Sequence, residues 1–173
     1  MLRHKRSIRI FALLCAVHGL VAVTASAQGF EIFGGYQFTH LEPAFNASGW
    51  NAALTKNFKH VLGITGDFSG AYKGEVKSHT YTVGPVFAAR LPAVQPFAHA
   101  LFGGITTSIQ DPVNPDNTLS RSGFAMFLGA GMDVGFRNGI AVRVFQLDWL
   151  KTDIDDVRRD SNLRASIGLV FKF

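Results

Sequence analysis

The feature that most constrains this chain is an alternation of apolar and polar residues, clearest in its last segment. RASIGLVFKF sets Ala165, Ile167, Leu169, Phe171 and Phe173 against Arg164, Ser166 and Lys172. A period of two is that of a β-strand with one apolar face, whereas a helix needs apolar residues three and four apart. LGITGDFSGAY repeats it, with Leu62, Ile64, Phe68 and Tyr72 opposed by Thr65, Asp67 and Ser69. FAMFLGAGMDV does so again, with Phe124, Met126, Leu128, Ala130, Met132 and Val134 opposed by Gly129, Gly131 and Asp133. From Gly29 onward there is no helical stripe of useful length, and turn residues divide the alternation into eight strands. These fall at about 29–39, 49–58, 61–72, 78–90, 94–106, 122–136, 140–150 and 163–173.

With 47% hydrophobic residues, 12% aromatics and 18 glycines in 173 residues, the chain reads as one folded domain with a large apolar surface to cover. Its start is different in kind. MLRHKRSIRIFALLCAVHGLVAVTASAQ has a basic beginning, an apolar run from Ile10 to Val23 and the small-residue pattern Ala25-Ser26-Ala27. That is the layout of a secretory signal peptide, and a run of about 14 residues is short for a membrane-spanning helix. Cleavage is expected after Ala27, leaving residues 28–173 as the barrel domain. Cys15, the one cysteine, lies well inside the apolar run and leaves with the signal, so no disulfide, thiol chemistry or Cys metal ligand is expected. The signal also holds Arg3, Lys5, Arg6 and Arg9, four of the 17 basic residues, so 13 remain against 12 acidic ones. The sequence pI of 9.7 therefore belongs largely to the export signal, and the charge gives no support for a nucleic-acid partner.

Alternation alone does not say which face is inside, because a soluble ligand-carrying barrel also has one apolar face. Three features point to a membrane. The connections alternate in length, with KH, LPA and RNG short and LEPAFNAS, KGEVK, TSIQDPVNPDNTLSR and KTDIDDVRRDSN longer. In a meander this puts the short turns at one end and the long loops at the other. All Tyr and Trp residues, Tyr36, Trp50, Tyr72, Tyr81 and Trp149, lie at strand ends on the long-loop side. Phe58, Phe87, Phe136, Phe171 and Phe173 lie towards the short turns, so two aromatic girdles are expected to bracket an apolar band. Finally, Glu31, Asp67, Asp133, Arg143, Arg164 and Lys172 fall on polar faces within strands. One Arg or Lys facing lipid at the midplane would cost about 2–4 kcal/mol, so these charges are expected in a polar lumen.

In DVGFRNGIAVR, a three-residue loop Arg137-Asn138-Gly139 with Gly139 left-handed would set Phe136 against Ile140, Val134 against Val142 and Met132 against Val144. Asp133 then meets Arg143 on the other face. VQPFAHALFGGIT carries apolar residues on both faces, which leaves His99 unplaced.

The end of the chain matches an outer-membrane assembly signal: polar Ser166, then Gly168, then Phe171 and Phe173. With the export signal and the eight-strand meander, residues 28–173 resemble the small OmpA/OmpX-like outer-membrane β-barrel family. The resemblance implies an all-β, eight-stranded antiparallel up-and-down transmembrane barrel, both termini periplasmic, in the outer membrane of a Gram-negative-type bacterium. It implies that the barrel-assembly machinery reads the last strand, after escort by periplasmic chaperones, and that outer membrane lipid and lipopolysaccharide surround the barrel. The chain departs from full-length OmpA proteins in ending with strand eight, so no peptidoglycan-binding domain is expected.

An enzymatic site would need a hydroxyl near a histidine that a third group orients. His40 and His60 fall in or beside connections, His79 follows Ser78 but points to the opposite face, and His99 shows no partner in the sequence. No metal spacing stands out, no cofactor is expected, and GAGMDVG lacks the spacing and following helix of a dinucleotide site. The last loop mixes Asp153, Asp155 and Asp156 with Arg158 and Arg159, a solvated cluster or a contact for lipopolysaccharide phosphates. The reading is a monomeric, non-enzymatic barrel with a structural or surface-interaction role and an extracellular partner not named by the sequence. A lipid-modifying barrel enzyme, a narrow pore and a secreted ligand-binding barrel are the alternatives.

Overall fold

The computed structural model describes residues 29–41, 45–58, 61–110, 118–137, 139–154 and 157–173, with backbone alone at 41, 45, 136–137 and 157–161. The expected export signal and His60 lie outside the described residues. Each alternating segment forms a strand: β1 (Phe30–Leu41), β2 (Phe45–Asn57), β3 (Leu62–Lys73), β4 (Val76–Ala88), β5 (Val94–Gln110), β6 (Thr118–Arg137), β7 (Ile140–Ile154) and β8 (Val157–Lys172). Neighbours in sequence pair antiparallel, and β1 pairs with β8 from Glu31↔Lys172 to His40↔Leu163, closing the barrel. Closure leaves no edge strand, so the ladder satisfies the backbone groups on both sides of every strand.

Side chains alternate across this wall as the sequence pattern requires. On β3, Ile64, Phe68 and Tyr72 are exposed outside while Thr65, Asp67 and Ser69 are buried inside. The arrangement inverts a soluble protein: large apolar residues cover the outside, and most buried polar residues line the interior. Strand five follows the same rule. Gln95, Phe97, His99, Leu101 and Ile105 point inward and Ala98 and Phe102 outward, so its ambiguity came from apolar residues that belong to the interior.

Two expectations are corrected. The long connections are mostly paired strand: β3 and β4 continue to Lys73↔Val76, β5 and β6 to Gln110↔Thr118, and β7 and β8 to Ile154↔Val157. Length appears as hairpins that outrun the apolar band, because antiparallel pairing satisfies backbone groups in water as in lipid. KGEVK holds a two-residue turn, Gly74-Glu75, with Gly74 at φ 56°. We call the end with these overhangs the hairpin end and the end with Gly29 and Phe173 the terminal end.

The second correction concerns the β6–β7 register. Asp133 faces Arg143 and Val134 faces Val142, but Arg137 pairs with Ile140, so the loop has two residues, with Gly139 at φ 75°. The extra residue sits in the strand, where the register shifts between Val134 and Arg137 and Gly135 takes φ 95°. A second shift pairs Met132 with Phe145, not Val144. Val144 and Phe145 are both exposed outside, so a β-bulge there reverses the inward parity from Arg143 to Gln146.

Candidate functional site: an ion-paired lumen inside an apolar wall

Inward alternation brings charges from four strands, β3, β6, β7 and β8, together in mid-lumen. Arg164 on β8 is the hub: its Nε donates to Asp148 Oδ2 at 2.7 Å, and Nη1 and Nη2 donate to Asp67 Oδ1 and Oδ2 at 2.9 and 3.3 Å. The planar guanidinium suits this double engagement, with one carboxylate held by two parallel bonds. Its face lies 4.2 Å from the Phe127 ring centroid. Asp67 accepts a further bond from Asn51 Nδ2 at 2.8 Å.

Asp148 is shared three ways. Beside Arg164 it binds His99 Nε2 at 2.8 Å through Oδ1 and accepts from Gln146 Nε2 at 2.8 Å. The space for this comes from Gly129, which lies between His99 and Asp148 in register; a Cβ there would stand 1.8 Å from Asp148 Oδ1. Gln146 links onward by accepting from Arg143 Nη1 at 2.7 Å. Arg143 holds Asp133 with two bonds, of 2.8 and 3.2 Å, and its guanidinium lies 4.2 Å from the centroids of both Phe33 and Phe97. Towards the terminal end, Glu31 accepts from Asn57 Nδ2 at 3.0 Å and lies 3.7 Å from Lys172 Nζ, which donates to Gln95 Oε1 at 2.6 Å.

Apolar clusters flank the mid-lumen charges on either side, with the Glu31–Lys172 pair beyond the terminal one. Leu101, Ile105, Ala125, Phe127 and Leu150 pack together towards the hairpin end, and Phe33, Ala53, Ala141 and Val170 towards the terminal end. A cavity of about 20 Å³ lies beside Thr55, Thr65, Gln95 and His99, space for one water. An eight-stranded barrel is about wide enough for its own side chains, and these occupy most of the interior.

Asp148, His99 and Gln146 were missed by the sequence reading. Asp148 is in phase with outward residues until the bulge at Val144–Phe145 is known, and the adjacent pair VF was the available signal. His99 has an acid partner after all, on a strand 49 residues away. Its described contacts are Asp148 and the Phe97 ring, not a hydroxyl. His79 binds Tyr72 OH and His40 binds Asn46, while Ser78 reaches Thr107. No cluster of metal ligands occurs among the described residues.

On the outer wall, Tyr36, Trp50, Tyr72, Tyr81 and Trp149 are exposed towards the hairpin end, and Trp50 Nε1 donates to Tyr72 OH at 3.1 Å. Phe58, Phe87, Phe171 and Phe173 are exposed towards the terminal end; the Phe136 side chain lies outside the described residues. Phe38, Phe68, Phe102 and Phe124 are also exposed on this wall, so Phe is not confined to the terminal end. Ser166 is buried in the lumen and Gly168 passes close to the β1 backbone, where a Cβ would stand 2.2 Å from Gly34 O. Asp155 and Asp156 lie outside the described residues, and Arg158 and Arg159 are described by backbone alone.

A closed antiparallel eight-stranded barrel, apolar outside and ion-paired within, defines a β-barrel membrane protein. The family model for the outer membrane protein beta-barrel domain matches residues 10–173, and the chain belongs to that family. Its place is accordingly the outer membrane of a Gram-negative cell. Neisserial surface protein A is similar in structure, with TM-score 0.60 at 12% identity over 83% of this chain and 96% of that one. The N-terminal β-barrel domain of Pseudomonas aeruginosa OprF gives TM-score 0.60 at 13% identity, covering 84% and 98%. Ail, the attachment invasion locus protein of Yersinia pestis, in complex with the heparin analogue sucrose octasulfate, gives 0.58 at 19% identity, covering 84% and 99%. No curated protein matches the chain.

Proposed function

We propose that the protein is a non-conducting, non-enzymatic barrel that strengthens the outer membrane and presents its hairpins at the cell surface. The observation that carries this reading is the filled interior, in which the Arg143 and Arg164 networks lie between two apolar layers. Such a lumen leaves little room for a continuous aqueous path, and the hydrogen bond described for His99 is to Asp148 and not to a hydroxyl. In this reading the terminal end is periplasmic and the hairpin end extracellular. The exposed Tyr and Trp residues anchor the barrel at the outer interface and the Phe residues at the inner one. Chaperones and the barrel-assembly machinery deliver and insert it through β8, with Ser166, Gly168, Phe171 and Phe173 as the signal, and it works as a monomer.

The test combines two measurements. Purified full chain in planar lipid bilayers is expected to give no conductance steps. Cells lacking the protein are expected to become more sensitive to detergents and to recover on re-expression. Discrete steps at fixed voltage would favour the pore, and unchanged sensitivity would remove the structural role.

A further inference from the structure

Four buried oxygens on three adjoining strands find no hydrogen-bond partner among the described residues: Gln37 Oε1, Thr39 Oγ1, Asn51 Oδ1 and Ser166 Oγ. Their residues are 2%, 4%, 1% and 2% exposed, in that order. The strand register gathers them around Gln37. On β8, Ser166 pairs with Gln37 directly; on β2, Asn51 pairs with Gly35 and so lies diagonal to it; Thr39 is the next inward residue along β1. Both amides are oriented from their nitrogen ends, because Gln37 Nε2 donates to Gly70 O at 3.2 Å and Asn51 Nδ2 to Asp67 Oδ2 at 2.8 Å. The two amide oxygens left over can only accept, and the two hydroxyl oxygens add lone pairs of their own. Thr82 Oγ1, a further buried hydroxyl in the same state, stands apart on β4.

The surroundings set the charge of a ligand that would serve these oxygens. One guanidinium, Arg164, is shared by two carboxylates, Asp67 and Asp148. With the Asp133–Arg143 pair added and His99 counted as neutral, the mid-lumen holds three carboxylates to two guanidiniums. The two cations beside Glu31, Arg90 and Lys172, lie at the terminal mouth and are partly exposed to water. A buried charge is costly unless it is matched. Asn51 joins the excess to the cluster, with its nitrogen on Asp67 and its oxygen among the four.

We propose that Gln37, Thr39, Asn51 and Ser166 bind a monovalent alkali cation across the seam between β1 and β8. Carbonyl and hydroxyl oxygens can replace the hydration shell of such an ion without a cluster of His, Asp or Glu. A single positive charge balances the excess carboxylate, which a divalent ion would overshoot, whereas a water molecule would serve the oxygens and leave the charge. The ion ties the first strand to the last where the barrel closes. It also gives Ser166, a residue of the expected assembly signal, a role inside the folded barrel. The inference is independent of which end of the barrel faces the cell surface.

Protein purified from outer membranes would be unfolded in urea and refolded in phosphatidylcholine vesicles in choline chloride, then in sodium or potassium chloride at the same ionic strength. Trp fluorescence gives the folding equilibrium constant. It is expected to rise at least tenfold in an alkali salt over choline, as for an ion at about ten times its Kd that binds only the folded barrel. Ser166→Ala and Thr39→Val each remove one ligand oxygen, and Gln37→Leu removes the central one. Each variant is expected to lose most of the rise while still folding in choline chloride; if Gln37→Leu fails to fold, the two hydroxyl variants carry the test. Equal stability of the wild type in all the salts overturns the proposal and assigns the oxygens to water. A rise that survives in the variants places the ion elsewhere and overturns it as well.

Discussion

Replacing Arg164 with alanine should be the most damaging single change in the lumen. The side chain is 1% exposed and joins Asp148 on β7 to Asp67 on β3 across the interior. Its removal leaves two carboxylates buried without their cation, although Asp148 keeps His99 and Gln146 and Asp67 keeps Asn51. Breaking a buried pair by deleting one partner costs about 3–5 kcal/mol. At about 1.4 kcal/mol per factor of ten, the folding equilibrium constant at a given urea concentration should fall by roughly two to three and a half orders of magnitude. The assay is urea titration of the chain refolded in lipid vesicles, followed by the mobility of unboiled samples in SDS and by Trp fluorescence. Adding Asp67→Asn and Asp148→Asn to Arg164→Ala removes the orphaned charges and should recover most of the loss. If Arg164→Ala shifts the midpoint by less than about 0.5 kcal/mol equivalent, the lumen is wet enough to screen its charges and the sealed interior is refuted.

Further perturbations test other parts of the structure. Asp133→Arg should weaken the barrel, and exchange with Arg143→Asp should restore it only in part, because the rings of Phe33 and Phe97 hold the guanidinium at position 143; a double-mutant cycle without any rescue would rule out this pair. Gly129→Ala should lower stability by about 1–3 kcal/mol in the same titration, since its Cβ displaces Asp148 from His99; wild-type stability would show that the pair is not held there. Deleting Phe173, whose N–H bonds Phe30 O at 2.9 Å, should lower assembled barrel in the outer membrane far more than it slows refolding in vesicles. Equal effects in both would make Phe173 a structural residue and not a signal.

The fold was legible wherever one face of a strand was apolar and the other polar. LGITGDFSGAY and RASIGLVFKF read correctly because Thr65, Asp67 and Ser69, and Arg164, Ser166 and Lys172, mark the inward faces, although Val170 also points inward. Strand five was opaque for a physical reason: the lumen has apolar layers, so Phe97, Leu101 and Ile105 face inward as Ala98 and Phe102 face outward. Asp133 and Arg143 were close enough in sequence for turn geometry to pair them, although the extra residue lies in the strand and not in the loop. Asp67, Asp148, Arg164 and His99 were not, since their meeting depends on closure between β1 and β8 and on the bulge at Val144–Phe145. The loop lengths misled because a polar hairpin above the membrane has no apolar periodicity to reveal it.

Specificity is the simplest account of why an apolar wall should enclose so many charges. A slip of one residue in a strand moves its whole inward set to the outside. For β8 that would carry Arg164 into lipid, at about 2–4 kcal/mol near the midplane, and Lys172 into the interface at a smaller cost, and orphan their partners inside. An interior made only of Leu and Val would register the same slip weakly, because lipid and lumen would solvate those residues alike. By this argument the network acts mainly by raising the energy of wrong registers, while desolvation offsets much of its contribution to the right one. The variant that combines Arg164→Ala with both Asp→Asn changes separates the two roles. If specificity is the role, that variant stays stable but populates more than one pairing of β7 with β8, visible as multiple amide resonances for residues such as Gly168; a single set of resonances would assign the network to stability alone.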